Sequence, residues 1–400
     1  MNILFITIAR FNDVEENGIY TDLIRKFRDE GNNVYVVTPL ERRYKQKTSL
    51  LENKGIHILG VNTLNIQKTN FIEKGIATIL VEYQFKYAIN KYIKGVRFDL
   101  ILYSTPPITF TKAIKAIKFR DKSFTYLLLK DIFPQNAIDI NLIRKNSFIH
   151  KLFIKKEKKL YEVSDIIGCT SPANISFVLK NNPEVIKEKL EINPNSIEIS
   201  KPKDVDIKII RDKYCIPEKS RIFVYGGNLG KPQGIDFLIE CLKANIYRED
   251  AFFVIVGAGT EYQKIKNWID SNKPNNIILI NYLPVNEYDN LVKACDVGLI
   301  FLDNRFTIPN YPSRLLAYLE NKMPILAATD INTDIGKIAE ENGYGFWCES
   351  RNVEDFNNIL EKYIRMSAEE LKSMGEKGYD FLKNNYTSEI SYKAIIKHLQ

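Results

Sequence analysis

The feature that most constrains the fold of this chain is a twofold alternation of short apolar runs with amphipathic stretches. Runs such as Asn2–Ile8, Leu100–Thr105 and Ile222–Gly226 have the length and composition of buried strands, and helical patterns separate many of them. Continuous apolar strands that alternate with helices indicate a parallel sheet covered on both faces. The alternation stops near residue 200 and then starts again, which predicts two α/β domains.

The boundary between the two domains is predicted from a change in composition. Residues 200–220 are charged and contain proline, so we place the linker there. The first domain is then expected over residues 1–200 and the second from residue 201, and each is long enough to bury its own core. Doubly wound domains bind ligands at the carboxyl ends of their strands, so a cleft between two such domains is the expected site.

Positive charge is concentrated in the first half of the chain. The formal net charge is +8, and residues 1–200 contain 31 Lys and Arg against 21 Asp and Glu. A basic half indicates an anionic partner, such as membrane headgroups, nucleic acid or a phosphorylated substrate. A lysine-rich composition without any such partner is the alternative.

Cysteine and histidine content argues against two classes of protein. The five cysteines are scattered without a C-x-x-C pair, and the three histidines are isolated. This pattern disfavours a disulfide framework and a zinc site, and it favours a reducing compartment. No apolar run approaches the roughly 20 residues of a membrane span. We therefore expect a cytoplasmic protein or one on the inner membrane surface.

The strongest local motif is the glycine-rich segment 225–234, which lies between a predicted strand and a predicted helix. Its glycines let the backbone approach a ligand closely, and the helix N-terminus offers free N–H groups to an anion. Lys231 adds a positive charge at the same place, which makes the segment a candidate diphosphate site. A glycine-rich turn with a solvated lysine is the alternative, and no Gly-Lys-Ser/Thr closes the segment as in a Walker loop.

Two further strand-to-helix segments have features of an anion site. Val256–Gly259 is a weak glycine motif that follows a predicted strand. A helix is predicted to begin at Pro312-Ser313, with the serine as its cap or the proline in its first turn. Arg314 then supplies a side chain suited to bidentate phosphate binding. An ordinary capped helix with an exposed arginine is the alternative.

The first domain offers candidates at two strand ends and one candidate surface. Lys130 and Asp131 directly follow a buried strand and form either a site or an internal ion pair, and Asn17-Gly18 forms either a ligand-binding loop or a simple turn. Residues 143–160 hold seven Lys and Arg and one acid, with apolar residues at near-helical spacing. They predict a basic amphipathic helix that lies on an anionic membrane, or else a solvated surface helix.

Eight short segments keep a characteristic order and spacing along the chain. They are Ser104–Pro107, Lys130–Pro134, Asp165–Ser171, Asn193–Asn195, Gly226–Gly234, Val256–Gly259, Ala294–Gly298 and Pro312–Leu315. Together they make the chain resemble the GT-B glycosyltransferases of sequence family four over essentially its whole length. The likeness is greatest to bacterial capsule and O-antigen sugar transferases, including N-acetylfucosaminyl-type enzymes.

The resemblance implies a fold, a reaction and partners. The fold is GT-B: two Rossmann-like doubly wound domains with an interdomain cleft, the second over residues 201–380, and a last helix over 381–400 that crosses back to the first domain. The reaction is a retaining sugar transfer from a nucleotide sugar, taken to be a UDP-N-acetylamino sugar, without a metal ion or other cofactor. The acceptor is a glycan or an undecaprenyl-diphosphate-linked glycan in surface polysaccharide synthesis, and no nucleic acid is involved.

The resemblance also assigns roles to residues. Donor binding falls to Gly227, Asn228, Gly257, Leu283, Pro284, Ser313, Leu315 and Glu320, and acceptor binding falls to Asn17, Gly18 and Lys130. Lys231, Arg314 and the backbone N–H groups of Ser313 and Leu315 are expected to stabilise the leaving diphosphate. Asp131 is expected to orient or deprotonate the acceptor hydroxyl.

The chain departs from the family at several positions. Many members carry two glutamates in an E-x7-E motif, and these positions are Pro309 and Ala317 here. Glu320 lies one turn after Ala317 and is a candidate substitute, because residues i and i+3 share a helix face. The usual arginine and lysine of the glycine-rich loop fall on Asn228 and Gln233.

Two other functions therefore remain open at this point. One is a nucleotide-sugar epimerase on the same fold, and the other is a non-catalytic GT-B partner subunit. The motif Asp204-Val-Asp206 matches the D-x-D metal motif of some glycosyltransferases, but it lies in the predicted linker, away from any strand end. We interpret it as surface charge and expect no metal site.

Overall fold

The computed structural model of the chain describes residues 1–11, 13–66, 69, 71–200 and 205–400. It divides into two compact units, which we call unit 1 (residues 1–198 and 387–400) and unit 2 (residues 199–386). The sequence placed these boundaries at 200/201 and 380/381. The structure places them at 198/199 and 386/387.

Unit 1 contains an eight-stranded sheet with helices between its strands. The strands are β1 (Asn2–Ile6), β2 (Asn33–Glu41), β3 (Ser49–Asn53), β4 (Ile56–Thr63), β5 (Leu100–Ser104), β6 (Phe124–Leu129), β7 (Ile166–Cys169) and β8 (Leu190–Ile192). The helices are α1 (Thr21–Asp29), α2 (Phe71–Tyr92), α3 (Thr111–Asp121), α4 (Gln135–Asp139), α5 (Phe148–Val163) and α6 (Pro172–Asn181). The strand order is β3-β4-β2-β1-β5-β6-β7-β8, and β3 alone among the named strands pairs antiparallel.

The core of unit 1 forms because its central strands are apolar on both faces. Ile3 in β1 pairs with Val34 on one side and with Leu100 on the other, and all three side chains are buried. Leu23 and Phe27 of α1, at i and i+4, pack on the same core. Continuous apolar strands under amphipathic helices are the pattern expected of a parallel sheet buried on both faces.

Unit 2 contains a six-stranded parallel sheet. Its strands are β9 (Arg221–Gly226), β10 (Ala251–Val256), β11 (Ile277–Ile280), β12 (Val297–Phe301), β13 (Ile325–Thr329) and β14 (Gly345–Glu349). Its helices are α7 (Ile207–Lys213), α8 (Ile235–Ala244), α9 (Tyr262–Asn272), α10 (Val285–Lys293), α11 (Arg314–Glu320), α12 (Ile335–Glu341), α13 (Val353–Arg365) and α14 (Ala368–Asn385). The strand order β11-β10-β9-β12-β13-β14 reverses between β9 and β12. Ligands of doubly wound sheets bind beyond the carboxyl ends of the strands at such a reversal.

The last helix, α15 (Ser388–Ile396), belongs to unit 1. The ring of Tyr392 lies 4.9 Å from the ring of Phe27 in α1, and Ile395 joins the core of unit 1. The Ser391 hydroxyl donates a hydrogen bond to the side-chain oxygen of Asn193 (2.6 Å). Residues 387–400 are therefore an integral part of unit 1.

The predicted linker is wrong for the part of it that the structure describes. Residues 205–220 belong to unit 2 and contain α7, whose first turn is capped by Asp206. The Asp206 carboxylate accepts hydrogen bonds from the backbone N–H groups of Lys208 and Ile209. A capping role accounts for this aspartate, while Asp204 of the D-x-D motif lies outside the described residues.

Two other expectations concern the surface of the molecule. The predicted basic helix over 143–160 begins later, at Phe148, because Ser147 caps it by accepting a hydrogen bond from the His150 backbone N–H. Among the described residues, no helix has both the length and the apolar character needed to cross a membrane. The described part of the chain also contains no group of three or more His, Cys, Asp or Glu side chains that could hold a metal ion.

Candidate active site

The carboxyl edge of the unit 2 sheet is built around two glycine-rich loops that touch each other. Gly227 follows β9 with φ +133°, and Gly257 follows β10 with φ +159°. A Cβ atom built at Gly257 would overlap the Gly227 carbonyl oxygen. Backbone hydrogen bonds from Gly227 to Val256 (2.9 Å) and from Leu229 to Ala258 (3.0 Å) join the two loops. Glycine is required here because any side chain would separate them.

The first of these loops is also fixed to the end of β12. Gly234 has φ +57°, and a Cβ atom there would lie 2.9 Å from the Leu302 carbonyl oxygen. The Asp303 backbone N–H donates a hydrogen bond to the Pro232 carbonyl oxygen (3.1 Å). The loop at residues 227–234 is thus held between the ends of β10 and β12, at the reversal of strand order.

Arg314, at the start of α11, stands against this loop. Its guanidinium carbon lies 4.4 Å from the centre of the Tyr225 ring, and its Nη2 donates a hydrogen bond to the Gln233 side-chain oxygen. A Cβ atom on Gly227 would lie 3.3 Å from Nη2, so the guanidinium faces bare backbone. The buried Nη1 has no hydrogen-bond partner among the described residues. An unpaired buried donor is costly, and this cost makes Arg314 a candidate functional residue.

Two tyrosines that the sequence analysis did not select complete the surroundings of Arg314. The Tyr288 side chain of α10 covers Gly226, where a Cβ atom would overlap its hydroxyl. The Tyr318 hydroxyl of α11 accepts a hydrogen bond from the Gly226 backbone N–H (3.1 Å). Burial raises the pKa of Tyr288 to about 12, so its hydroxyl stays neutral. No local sequence signal selects Tyr288, because it lies on a different helix from Arg314. Tyr318 lies four residues after Arg314 on α11, a spacing that could have indicated their contact.

The structure also places the other predicted cation and the helix start. Lys231 begins a 3₁₀ turn, is exposed, and forms no ion pair among the described residues. Ser313 precedes α11, and its side chain makes no capping hydrogen bond. The Leu315 backbone N–H already donates to the Pro312 carbonyl oxygen (3.2 Å). The expectation that the Leu315 N–H is free for a diphosphate is therefore wrong.

The remaining donor-side candidates lie around the same loops. The Asn228 side chain lies between Gly230 and Gly259, close enough that a Cβ atom on either glycine would crowd it. Leu283 is half-buried and Pro284 is exposed in the segment before α10. The Gly257 backbone N–H donates to the Ile280 carbonyl oxygen (2.9 Å), which fixes the end of β11 beside the second loop.

Glu320 has a partner of its own within unit 2. Its Oε1 accepts a hydrogen bond from the Ser200 backbone N–H (2.8 Å). Ala317, one of the two positions at which the resemblance leads us to expect a glutamate, lies one turn earlier on α11. The described contacts therefore show that Glu320 holds the first residues of unit 2. Its role in binding a donor stays a prediction.

The carboxyl edge of the unit 1 sheet holds Asp131, directly after β6. The Asn136 side-chain amide donates to both carboxylate oxygens of Asp131, at 2.8 and 2.7 Å. The Asp131 backbone N–H donates to the Thr105 hydroxyl beyond β5 (3.1 Å). Burial raises the pKa of Asp131 to about 6, and the Asn136 hydrogen bonds act in the opposite direction. A carboxylate that titrates near neutral pH suits general acid–base chemistry.

Lys130 precedes Asp131 but has different partners. Its ammonium group donates to the carbonyl oxygens of Asn193 (3.3 Å) and Pro194 (2.9 Å). Burial lowers the pKa of Lys130 to about 7. The described contacts include no ion pair between Lys130 and Asp131, so the internal-pair alternative is not what the structure shows.

The loop before α1 forms a turn closed by its own residues. The Gly18 backbone N–H donates to the Asp22 carboxylate (2.9 Å), and the Gly18 carbonyl oxygen accepts from the Thr21 hydroxyl (3.0 Å). The neighbouring Asn17 is exposed. The turn accounts for Gly18, and an acceptor contact at Asn17 and Gly18 stays a prediction.

Comparisons with known proteins agree with this geometry. Residues 206–381 match the protein family described as glycosyl transferases group 1. The probable glycosyltransferase WbjE of Pseudomonas aeruginosa is 23% identical over 339 residues, which are 82% of this chain and 80% of the relative. The putative colanic acid biosynthesis glycosyl transferase WcaI of Escherichia coli (strain K12) is 25% identical over 162 residues, 39% of each chain.

The fold is similar to that of solved structures along the whole chain. The crystal structure of Anabaena Alr3699/HepE in complex with UDP has a TM-score of 0.69 at 15% identity, and the match covers 100% of this chain and 99% of that one. The two units therefore form a GT-B fold. The chain is a glycosyltransferase, and residues 206–381 of its second unit match the glycosyl transferases group 1 family.

Proposed function

We propose that this glycosyltransferase moves a sugar from a UDP-N-acetylamino sugar to a glycan, or to an undecaprenyl-diphosphate-linked glycan, with retention of anomeric configuration. The reaction belongs to bacterial surface polysaccharide synthesis. The name of WcaI, which refers to colanic acid biosynthesis, supports the pathway. The UDP complex of the Anabaena protein supports the choice of nucleotide.

The observation that carries the proposal is the position of Arg314 against Gly227. The guanidinium lies against the bare backbone of the loop, and among the described residues its Nη1 has no hydrogen-bond partner, so a positive charge without a matching acceptor lies at the reversal of strand order. Negative charge develops on the diphosphate as the sugar leaves. A fixed cation stabilises this charge without reorganising. Lys231 lies in the same loop, is exposed, and supplies a second charge.

With these two cations in place, the proposed reaction needs no bound metal ion. Lys231 and Arg314 balance the charge that a divalent cation balances in other phosphate sites. We expect turnover to persist after dialysis against EDTA. A complete loss of turnover that Mn²⁺ or Mg²⁺ restores would contradict this part of the proposal.

On the acceptor side, Asp131 orients or deprotonates the attacking hydroxyl. Its pKa of about 6 leaves it ionised at neutral pH and still basic enough to accept a proton. Lys130, Asn17 and Gly18 lie at the same edge of unit 1 and contact the acceptor in this proposal. A lipid-linked acceptor would be reached from the inner face of the cell membrane, against which residues 143–160 would lie.

The first test is a titration with UDP, GDP and dTDP, followed by calorimetry or thermal shift. A nucleotide at 100 times its Kd stabilises the folded state by about 2.7 kcal/mol. We expect UDP to stabilise the wild type and to lose most of this effect in Lys231→Ala. Lys243→Ala is the matched control, since Lys243 is also an exposed lysine but lies in the last turn of α8, at the end away from the glycine-rich loop.

The outcome of the titration tests the donor site, the role of Lys231 and the alternative functions. Absence of stabilisation by any nucleotide would contradict the donor site. Equal stabilisation of Lys231→Ala by UDP would show that Lys231 is not part of the donor site. Product analysis without an acceptor then tests for an epimerase, which would convert the nucleotide sugar to its epimer under these conditions.

A further inference from the structure

Helix α2 of unit 1 carries apolar side chains on two opposite faces. Ala77, Val81 and Phe85 are buried against the core. The opposite face presents exposed apolar residues at positions i, i+3, i+4, i+7 and i+11, and we call them the α2 stripe: Ile76, Ile79, Leu80, Tyr83 and Tyr87. Residues at this spacing lie along one side of a helix. A soluble helix normally presents a polar outer face, so the α2 stripe requires a partner.

Helix α5 adds apolar residues at the same edge of unit 1. Phe148, 82% exposed, and Ile149 form its first turn, and the exposed Leu142 precedes it. Helices that connect parallel strands run back from the carboxyl edge of the sheet. The first turns of α2 and α5 therefore lie at the carboxyl edge, where Asp131 also lies.

Contacts between the helices show that they form one face. The Lys112 ammonium of α3 donates to the Tyr83 hydroxyl of the α2 stripe (2.5 Å) and lies 4.9 Å from the centre of its ring. The buried Glu82 of α2 accepts from the Lys112 backbone N–H and lies 3.7 Å from the Lys156 ammonium of α5. Helices α2, α3 and α5 thus meet beside the α2 stripe.

The exposed charges on these three helices are almost all positive. Among the side chains that the structure describes on the three helices, the exposed cations are Lys86, Lys91, Lys112, Lys115, Arg120, Lys151, Lys155, Lys158 and Lys159, and the exposed acid is Glu162. Among the described residues, two of these cations form ion pairs: Lys158 pairs with Glu184, and Arg120 pairs with Asp121. The apolar stripe therefore has a cationic rim.

We propose that this face docks on a bilayer that contains anionic phospholipid. The α2 stripe and Phe148 enter the acyl region, and the lysines of α3 and α5 bind phosphate headgroups. A second copy of the chain is a poorer partner, because apposing two such faces would bring like charges together. The inference extends the membrane contact proposed above for residues 143–160, and it rests on the lipid-linked acceptor of that proposal.

The test is co-sedimentation with vesicles of phosphatidylglycerol and phosphatidylcholine, compared with vesicles of phosphatidylcholine alone. We expect the wild type to bind the anionic vesicles and Ile79→Asp to bind them at least tenfold more weakly. Ile331→Asp is the matched control, since Ile331 is 72% exposed in unit 2, and it should bind like the wild type. Lys115→Glu/Lys155→Glu should weaken binding most at low salt.

Two further measurements keep the test decisive. Ile79→Trp should shift its emission to shorter wavelength with anionic vesicles, whereas Ile331→Trp should not. All variants should keep the stabilisation by nucleotide, so a failed donor site and a failed membrane site give different results. Unchanged binding by Ile79→Asp, or no binding by the wild type, would overturn the inference. So would a wild-type dimer that Ile79→Asp dissociates, because the stripe would then be a subunit interface.

Discussion

The carboxyl edges of the two sheets have similar topology but present different chemistry. The edge of unit 2 is made of glycine backbone and a guanidinium group, one nitrogen of which has no hydrogen-bond partner in the described part of the chain. The edge of unit 1 presents Lys130 and Asp131, which are hydrogen-bonded to their own chain and whose pKa values burial moves toward neutrality. One edge supplies fixed positive charge, and the other supplies groups that gain or lose a proton. In the reaction proposed above, the same arrangement of strands thus serves two steps.

The largest effect is expected from a methyl group between the two loops of unit 2. In Gly257→Ala the new Cβ atom would overlap the Gly227 carbonyl oxygen. The loops must separate, and we expect nucleotide binding to be lost together with about 2–4 kcal/mol of unfolding free energy. Gly75→Ala in α2 is the control, because nothing lies within 4 Å of its Cβ position. A Gly257→Ala protein that binds UDP normally would show that the contact between the loops is dispensable.

The next effect concerns the fixed charge itself. Arg314→Ala should reduce kcat by roughly a hundredfold, which corresponds to about 3 kcal/mol of transition-state stabilisation. Arg314→Lys keeps the charge but loses the planar fork, so it should recover only part of the rate. Steady-state kinetics with saturating acceptor measure both variants. Full activity of Arg314→Ala would place the diphosphate elsewhere.

In unit 1 the corresponding test is the pH dependence of Asp131. The ionised carboxylate is the active form, so kcat/KM should fall as pH drops below about 6. Asn136→Ala removes hydrogen bonds that lower this pKa, and the acidic limb should therefore move to higher pH. Asp131→Asn should lose activity. An unchanged pH profile in Asn136→Ala would contradict the role given to Asp131.

Replacing Asp131 with asparagine should lower activity but should not lower the free energy of unfolding above pH 6. The pKa of Asp131 in the folded state lies above the ordinary aspartate value of 3.8, so its stabilising contribution is complete below that value. The contribution is lost as pH rises through about 6, because the buried group must then ionise. Above pH 6, Asp131→Asn should therefore be at least as stable as the wild type. Denaturant unfolding at pH 5 and pH 8 measures this difference.

The smallest effect on activity is expected from replacing Lys130. A structural role for this lysine predicts a loss of stability, whereas direct binding of the acceptor predicts a higher KM. Lys130→Met leaves the Asn193 and Pro194 carbonyl oxygens without their donor and should cost about 1–3 kcal/mol of unfolding free energy. The KM for acceptor should then change little. Unchanged stability with a tenfold higher KM would mean that the amine binds the acceptor directly.

Much of this architecture was predictable because it depends on local patterns. The apolar strands, the glycine-rich loops and the start of α11 all leave signals within about ten residues of sequence. Gly227 and Gly257 were selected as ligand contacts, and the structure shows that they also fix the two loops to each other. Both roles require a residue without a side chain, so the sequence alone does not separate them.

What could not be predicted depends on contacts between distant segments. Tyr288 and Arg314 are neighbours only because α10 and α11 each place a side chain against the Gly226-Gly227 end of β9, and no local pattern indicates this. The Leu315 N–H looked free at a helix start, but the first turn engages it with Pro312. Residues 205–220 looked like a linker because they are charged, although α7 uses part of this charge as a cap.

The discontinuity of unit 1 has a consequence for how the chain folds during synthesis. Unit 2 is continuous from residue 199 to 386, so its core can close as soon as that stretch has left the ribosome. Unit 1 is synthesised first, yet Ile395 and Ile396 of its core come last. Until residues 387–400 arrive, Glu191 lacks His398 and Lys397, and Phe27 lacks Tyr392. Unit 1 therefore comes first along the chain, but its core can be completed only after the whole of unit 2 has been synthesised.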